Sequence, residues 1–184
     1  MKEKRLNLVS LVIGRRGSGK TTFLREGIAA YPKKVLIVDT LDHPAYKDVQ
    51  VISPERLKYW ESGTVRVFGS DFKRIFSNIK EHCRNCLIIF EDSTKYLRRE
   101  LPDDVRNYII DTKQLNVDLI FTFHGFGMVM PDLYRLSDAI TIFKVGEDIA
   151  TYKGKISNFG EVHKAYLQVM KESSQYANKT VLLY

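Results

Sequence analysis

The sequence predicts a single α/β domain with a mostly parallel β-sheet that is covered by helices on both faces. Short, almost wholly apolar segments alternate with segments of helical periodicity along the chain. Strands buried on both faces form such continuous apolar runs, whereas half-exposed strands alternate apolar and polar residues. A glycine-rich motif follows the first apolar segment, as is typical of phosphate-binding α/β proteins. The length of 184 residues fits one compact domain.

The apolar segments define the strands. Strands are predicted at residues 6–13, 35–38, 65–68, 87–90, 119–123 and 139–143, and a further strand at 178–184. The patterns do not determine where that last strand joins the sheet. No internal repeat or low-complexity linker interrupts the domain.

Helices are predicted between these strands at residues 20–30, 71–83 and 102–115. The second has an apolar face formed by Phe72, Ile75, Phe76 and Ile79. The third begins at a proline followed by two acidic residues, which suits the positive end of a helix.

Composition bounds the class of protein. The formal net charge is +7, with 29 Lys and Arg against 22 Asp and Glu, which favours a polyanionic partner such as DNA. No apolar run reaches the roughly 18 residues of a membrane span, so no membrane span is predicted and a cytoplasmic location is expected. Cys83 and Cys86 form a lone C-x2-C pair, which indicates two reduced thiols more readily than half of a zinc site.

The strongest motif is a phosphate-binding loop, the Walker A pattern G-x-x-x-x-G-K-[ST], at residues 14–21. It follows a predicted strand and opens a predicted helix, so its amides form an anion nest at the positive end of that helix. Lys20 can reach the β- and γ-phosphates of ATP, and the Thr21 hydroxyl can bind Mg2+. The predicted ATP-binding residues are Gly14, Arg15, Arg16, Gly17, Ser18, Gly19, Lys20, Thr21 and Thr22.

Two predicted strands end in acids, and the choice between them decides the reaction. Asp39 closes the strand after the P-loop helix, as expected of the Mg2+ acid in a small nucleotide kinase. Glu91 and Asp92 close the strand at 87–90 as an adjacent pair. Such a pair can hold Mg2+ and also polarise an attacking water, which hydrolysis needs. We therefore predict Glu91 as the Mg2+ acid and Asp92 as the acid that activates water.

In these residues the chain resembles the FtsK–HerA superfamily of DNA-pumping P-loop ATPases, and in particular viral genome-packaging ATPases. The resemblance rests on the P-loop and on the segments VLIVDTLDHPAY, LIIFED and TKQLNVDLIFTFHG running to LSDAITIFKVGED. It implies a three-layer sandwich with core strand order 5-1-4-3-2 and late additions at one edge. It also implies ATP hydrolysis coupled to DNA translocation by a homo-oligomeric ring, a pentamer or hexamer, with DNA and capsid or portal proteins as partners.

The resemblance further implies roles for individual residues. Thr122 or His124 stands where the family has its γ-phosphate sensor, and His124 is the predicted catalytic residue there. Arg135 is the first candidate for an arginine that completes a neighbouring subunit's site, ahead of Arg98, Arg99 and Arg106. The family usually has Asp before Glu or Asp at the acidic strand end, whereas Glu91 precedes Asp92 here, so the division of roles between the two stays open.

Two alternatives to the packaging motor remain open. One is a phage or plasmid morphogenesis ATPase of the zonula-occludens-toxin type, and the other is a small nucleotide kinase. Two segments also have uncertain roles. Residues 95–99 can contact nucleic acid or form a charged helix face, and the glycine-rich residues 125–131 are interpreted as a mobile functional loop rather than a core-capping turn.

Overall fold

The computed structural model describes residues 7–39, 42–97 and 100–184. Its strands are β1 (Val9–Ile13), β2 (Lys34–Asp39), β3 (Gln50–Val51), β4 (Thr64–Phe68), β5 (Cys86–Phe90), β6 (Asp118–Phe123), β7 (Ala139–Phe143) and β8 (Asn178–Leu182). Its α-helices are α1 (Lys20–Ala30), α2 (Phe72–His82), α3 (Asp103–Ile110), α4 (Thr112–Leu115), α5 (Pro131–Leu136) and α6 (Phe159–Lys171).

All eight strands form one sheet in the order β3-β4-β2-β5-β6-β1-β7-β8. Every pairing is parallel except β7 with β8. Counting β1, β2, β5, β6 and β7 as core strands one to five gives the predicted order 5-1-4-3-2. The late addition lies at one edge, as expected: β8 extends the β7 edge. Two earlier strands, β4 and β3, extend the opposite edge beyond β2, and this placement was not predicted.

Both faces of the sheet are buried, as the apolar strands predicted. Alternate residues of each central strand belong to two separate clusters. In β5, Ile88 and Phe90 pack in the larger cluster with residues of α2, α3, α5 and α6, whereas Leu87 and Ile89 pack in the smaller cluster with α1. This period of two places helices on opposite faces, and the predicted three-layer α/β sandwich is confirmed.

The helices differ from the predictions in two places. The helix expected over residues 102–115 is divided at Asp111, whose ψ of 1° departs from helical geometry and separates α3 from α4. Helices α5 and α6 were not predicted, although the buried side chains of Val162, Ala165 and Val169 in α6 have helical spacing.

The segment after β6 is packed and hydrogen-bonded, contrary to the mobile loop expected there. Phe126 is buried, and the Tyr134 hydroxyl donates to its carbonyl at 2.7 Å. The Glu147 carboxylate accepts hydrogen bonds from the amides of Phe126 and Gly127. The interpretation as a core-capping turn, the less favoured one, therefore fits the structure better.

The sequence analysis also considered a membrane span and a zinc site at the two cysteines. No helix in the described part of the chain combines the length and the apolarity that crossing a membrane requires. Cys83 and Cys86 are both buried and are not joined by a disulfide, and no cluster of three or more metal-ligating side chains occurs within residues 7–39, 42–97 and 100–184.

Candidate nucleotide-binding site

The carboxyl ends of β1, β5 and β6 meet at one edge of the sheet, where they surround a cleft of about 400 Å3. In open parallel sheets, ligands bind in the crevice beyond these strand ends. The cleft contains most of the predicted site and is lined by Arg16, Gly17, Lys20, Thr21, Asp39, His43, Glu91, Asp92, Thr122 and His124.

The P-loop joins β1 to α1 and depends on its glycines. At Gly14, an added Cβ would lie 2.4 Å from Cβ of Phe143, so no side chain fits. Gly19 caps α1 with φ of 95°, a conformation that L-residues rarely adopt. No side chain caps this helix, and its first amides therefore point into the loop as potential donors.

Lys20 lies at the centre of the cleft. Its Nζ donates to the carbonyl oxygens of Gly14 at 2.5 Å and Arg15 at 3.1 Å, and lies 3.5 Å from Nδ1 of His124. Burial lowers the pKa of Lys20, although the carboxylates of Glu91 and Asp92 act in the opposite direction. Within the described residues, this cation makes its hydrogen-bond contacts with carbonyl oxygens and an imidazole, so a phosphate oxygen suits it as a further partner.

Glu91 is fixed by two hydroxyl groups. The Tyr46 hydroxyl donates to Oε1 at 2.8 Å, and the Thr122 hydroxyl donates to Oε2 at 2.8 Å. Burial, followed by the neighbouring Glu91 charge, raises the pKa of Tyr46, so its phenol stays protonated and remains a donor. Each carboxylate oxygen accepts one side-chain hydrogen bond among the described residues, and its second lone pair can accept from a metal-bound water.

Asp92 is presented differently. It has φ of 45° and ψ of 56°, the left-handed conformation that Asp and Asn tolerate better than most residues. Its amide donates to Thr122 Oγ1 at 2.8 Å, and its Oδ1 accepts from the Thr94 hydroxyl at 2.5 Å. Oδ1 also lies 3.5 Å from Nε2 of His124. The carboxylate thus faces the cleft beside His124.

The two residues expected at the sensor position have separate tasks. Thr122 is buried, and its hydroxyl both donates to Glu91 and accepts from the Asp92 amide. It therefore aligns the two acids. His124 bridges Lys20 and Asp92 through its two ring nitrogens. Burial, and then the nearby charge of Lys20, lowers the pKa of His124, so its neutral form is favoured near pH 7.

Asp39, the rival metal acid, is already neutralised. Its side chain is 3% exposed, and Oδ2 accepts from Arg66 at 3.0 Å and from the His43 amide at 2.8 Å. Arg66 also contacts Asp42 at 2.9 Å. This arrangement fits a structural ion pair at the rim of the cleft better than a metal ligand.

The residues present fit Mg2+ bound together with a nucleotide. Thr21 offers a hydroxyl, and Glu91 a carboxylate whose orientation is fixed. Mg2+ commonly takes only one or two protein ligands and completes its octahedron with waters and phosphate oxygens. The Ser18 hydroxyl is buried without a hydrogen-bond partner in the described part of the chain. A phosphate oxygen of a bound nucleotide would supply that partner.

Two of the four arginine candidates, Arg135 and Arg106, lie away from this cleft. Arg135 of α5 has a side chain that is 73% exposed and reaches Asp132 at 3.5 Å. Arg106 of α3 pairs with the same Asp132. Neither lines the cleft of its own chain, so a catalytic role for either arginine would need a second copy of the chain. Arg98 and Arg99 lie outside the described residues.

Sequence reasoning missed Tyr46 and left the role of Tyr96 open. Tyr46 lies in a short 3-10 turn that no periodic pattern indicates, within the segment HPAY quoted for the family resemblance. Tyr96 stacks on Phe72 with ring centroids 4.3 Å apart, and its hydroxyl donates to the Glu91 carbonyl at 3.3 Å. It supports the acidic strand end and is not positioned to stack on a nucleic-acid base.

Comparison with known proteins gives a match in structure only. The sequence matches no family model, and it has no significant match among curated proteins. The structure is similar to the genome packaging NTPase B204 from Sulfolobus turreted icosahedral virus 2 in complex with AMPPCP. The TM-score is 0.79 at 17% identity, over 96% of this chain and 93% of that chain.

Two further structures extend the comparison. The same NTPase in complex with ATP-gammaS gives a TM-score of 0.76 at 15% identity, over 95% of this chain and 96% of that chain. The N-terminal domain of zonular occludens toxin from Neisseria meningitidis gives 0.50 at 15% identity, over 80% of this chain and 89% of that chain. These similarities show the fold alone: this chain has the three-layer α/β fold of a P-loop NTPase, as the sequence predicted.

Proposed function

We propose that this chain is an ATPase that binds ATP with Mg2+ in the cleft beyond β1, β5 and β6. One observation carries the proposal: the adjacent acids Glu91 and Asp92 face Lys20 of the P-loop across this cleft, and Thr122 aligns both acids. A binding loop alone needs no such pair, whereas hydrolysis needs a group that polarises water.

The residues divide the chemistry as follows. The loop amides and Lys20 bind the triphosphate, and Thr21 and Glu91 hold Mg2+. When bound, Mg2+ neutralises charge on the β- and γ-phosphate oxygens. Asp92 accepts a proton from the attacking water. Neutral His124 has one N–H, on the Nε2 that faces Asp92, and this N–H turns from Asp92 to donate to the γ-phosphate when the nucleotide binds. The contacts support this division: both carboxylate oxygens of Glu91 accept from hydroxyl groups, whereas the contacts that the described residues make with the Asp92 carboxylate all involve Oδ1.

The further step is that hydrolysis drives DNA translocation, with packaging of a viral genome as the setting. The similar structures from an icosahedral virus are of a genome packaging NTPase. The formal charge of +7 suits a DNA backbone. We further propose that the chain forms a homo-oligomeric ring in the cytoplasm of the infected cell and acts there with capsid or portal proteins. In this ring, Arg135 is the first candidate for an arginine that acts at the site of the neighbouring subunit.

A second candidate is an ATPase in phage or plasmid morphogenesis, favoured by the structural similarity to the zonular occludens toxin domain. A small nucleotide kinase is less favoured, because its metal acid would be Asp39. That carboxylate is already bound to Arg66.

ATP turnover measured with no DNA, single-stranded DNA and double-stranded DNA, at two salt concentrations, tests the proposal. Turnover that DNA stimulates at low salt and that Lys20→Ala removes is expected. Lys20-dependent turnover without any effect of DNA would keep the ATPase and reject the motor. Unchanged turnover in Lys20→Ala would reject the site.

Mixing two inactive variants tests the ring. Arg135→Ala and Asp92→Asn subunits should together regain part of the activity, because some interfaces then have an intact arginine facing an intact acid. Arg106→Ala in place of Arg135→Ala is the matched control, since both arginines contact Asp132. If activity is regained when Arg106→Ala subunits are mixed with Asp92→Asn subunits, but not when Arg135→Ala subunits are, the role belongs to Arg106.

A further inference from the structure

Tyr176 presents an exposed aromatic ring directly beside the P-loop. It lies in the turn between α6 and β8, and the residue is 58% exposed. The ring packs against Gly19: a Cβ added at that glycine would lie 3.1 Å from Cδ1 and 3.7 Å from Cγ of Tyr176. One exposed aromatic residue needs no explanation by itself, but this one contacts the loop that holds the phosphates.

The turn that carries Tyr176 is hydrogen-bonded. The Tyr176 amide donates to the Ser174 hydroxyl at 3.2 Å, and the Asn178 side-chain amide donates to the Tyr176 carbonyl at 3.2 Å. Lys144, which follows β7, donates from Nζ to the carbonyls of Met170 and Glu172 at the end of α6. The Lys144 carbonyl in turn accepts from the Arg15 amide at 2.8 Å, so the turn and the P-loop are anchored to the same residue.

The sheet order gives the direction of a bound nucleotide. Glu91 and Asp92 follow β5 and His124 follows β6, both on one side of β1. Tyr176 precedes β8, which lies beyond β7 on the other side of β1. A triphosphate with its γ-phosphate near Lys20 and His124 therefore has its nucleoside on the side of β7 and β8.

We propose that the ring of Tyr176 is the surface on which the nucleobase of the bound nucleotide stacks. This inference rests on the proposed function, because it takes the P-loop to hold the phosphates. Two other aromatic residues near the site already have ring partners: Phe23 packs edge-on against Phe143 at 5.7 Å, and Tyr96 stacks on Phe72. The exposed face of Tyr176 is free to receive a planar base.

The test compares two ligands in the wild-type protein and three variants. Dissociation constants for Mg-ATP and for Mg-tripolyphosphate, which has the phosphates but no base, are measured by calorimetry. The variants are Tyr176→Ala, Tyr176→Phe, which keeps the stacking face, and Tyr59→Ala. Tyr59 is the control, because it is also exposed, at 71%. It lies in the turn before β4, on the side of the sheet opposite β7 and β8.

We expect Tyr176→Ala to weaken ATP binding about tenfold, the range of base–aromatic stacking, without changing tripolyphosphate binding. Tyr176→Phe and Tyr59→Ala should bind both ligands as the wild type does. Equal weakening of both ligands would assign Tyr176 to support of Gly19 and overturn the inference. Unchanged ATP binding in Tyr176→Ala would overturn it as well.

The same measurements separate this inference from the proposed function. Wild-type binding of ATP that Lys20→Ala abolishes, together with unchanged binding in Tyr176→Ala, rejects only the stacking surface. Wild-type protein that binds neither ATP nor tripolyphosphate rejects the nucleotide site and the inference with it.

Discussion

The ends of β2 and β5 look alike in sequence and differ in the folded protein. Each is an apolar strand that closes on an acid, Asp39 in one case and Glu91 followed by Asp92 in the other. Asp39 is bound to Arg66 and 3% exposed, whereas the Asp92 carboxylate is 15% exposed and faces His124. A strand-end acid therefore acquires its role from its neighbours.

The neighbours follow from strand order. Beside β2 lies β4, which contributes Arg66, and a guanidinium neutralises the acid there. Beside β5 lies β6, which contributes Thr122, and a hydroxyl orients the acids without neutralising them. A buried ion pair stabilises a fold only when both partners are present, whereas a catalytic acid must keep its charge available.

The largest expected effect is on turnover in Asp92→Asn. We expect ATP hydrolysis to fall about 1000-fold, within the range of general acid–base catalysis, while Mg-ATP binding is retained. Asn tolerates the left-handed backbone of this position, so the fold should persist. Steady-state turnover and calorimetric ATP binding provide the measurement.

Asp39→Asn is the matched control for that experiment. Its folded fraction should hydrolyse ATP at nearly the wild-type rate, because Asp39 is placed as a structural acid. If instead Asp39→Asn loses Mg2+-dependent activity and Asp92→Asn stays active, the contrast between the two strand ends is wrong and a kinase-type site replaces it.

The second effect is on stability. Asp39→Asn should lower the free energy of unfolding by about 3 kcal/mol, because it leaves the buried Arg66 guanidinium without its main partner. Asp42 keeps one contact to Arg66, which limits the loss. Urea denaturation gives the value. Asp48→Asn, which removes an exposed pair with Arg25, should hardly move the midpoint, and an equal loss in both variants would contradict the structural role of Asp39.

A smaller effect on kcat is expected from loss of the Tyr46 hydroxyl, which orients the Glu91 carboxylate. Tyr46→Phe removes the hydroxyl that donates to Glu91 Oε1, and we expect kcat to fall about tenfold, as for loss of a hydrogen bond to a charged group. KM should change little, because Tyr46 does not line the cleft. Tyr166→Phe, whose hydroxyl donates to the Glu147 carbonyl instead, should leave kcat unchanged. A raised KM with normal kcat would contradict the positioning role of Tyr46.

The smallest effect concerns the protonation of His124. Burial and Lys20 lower its pKa below 6.5, and Asp92 acts in the opposite direction. NMR titration of the imidazole should therefore show a higher pKa in Lys20→Met and a still lower pKa in Asp92→Asn. Shifts in the opposite directions would contradict the bridging position between Lys20 and Asp92.

The same shift has a consequence for stability. With a folded pKa below 6.5, His124 binds fewer protons in the folded state than in the unfolded state as pH falls through this window. Its contribution is therefore complete above about pH 6.5 and is lost on further acidification. In His124→Gln, the free energy of unfolding measured between pH 7 and pH 5 should fall less steeply than in the wild type.

The sequence predicted the sheet well because periodicity is a local signal. The residues of β7 and α1 were predicted without error at either end, and most other core strands to within one residue. It did not reveal that β4 pairs with β2 outside the five-strand core order, since pairing partners are chosen across distances that periodicity does not record. The sequence did not predict the break between α3 and α4 either, because apolar residues of both helices pack against the same cluster and read as one helical pattern.

By itself, the sequence determined the P-loop, since a loop between a strand and a helix is built from consecutive residues, and it identified three strand-end acids as candidates to face that loop. Only the tertiary structure decided which acid is neutralised, which is oriented and which is left available. Arg66, Tyr46, Thr122 and Tyr176 come from four separate parts of the chain. The order of the strands brings each of them to its partner, and that order depends on burial of the whole sheet, which no short motif encodes.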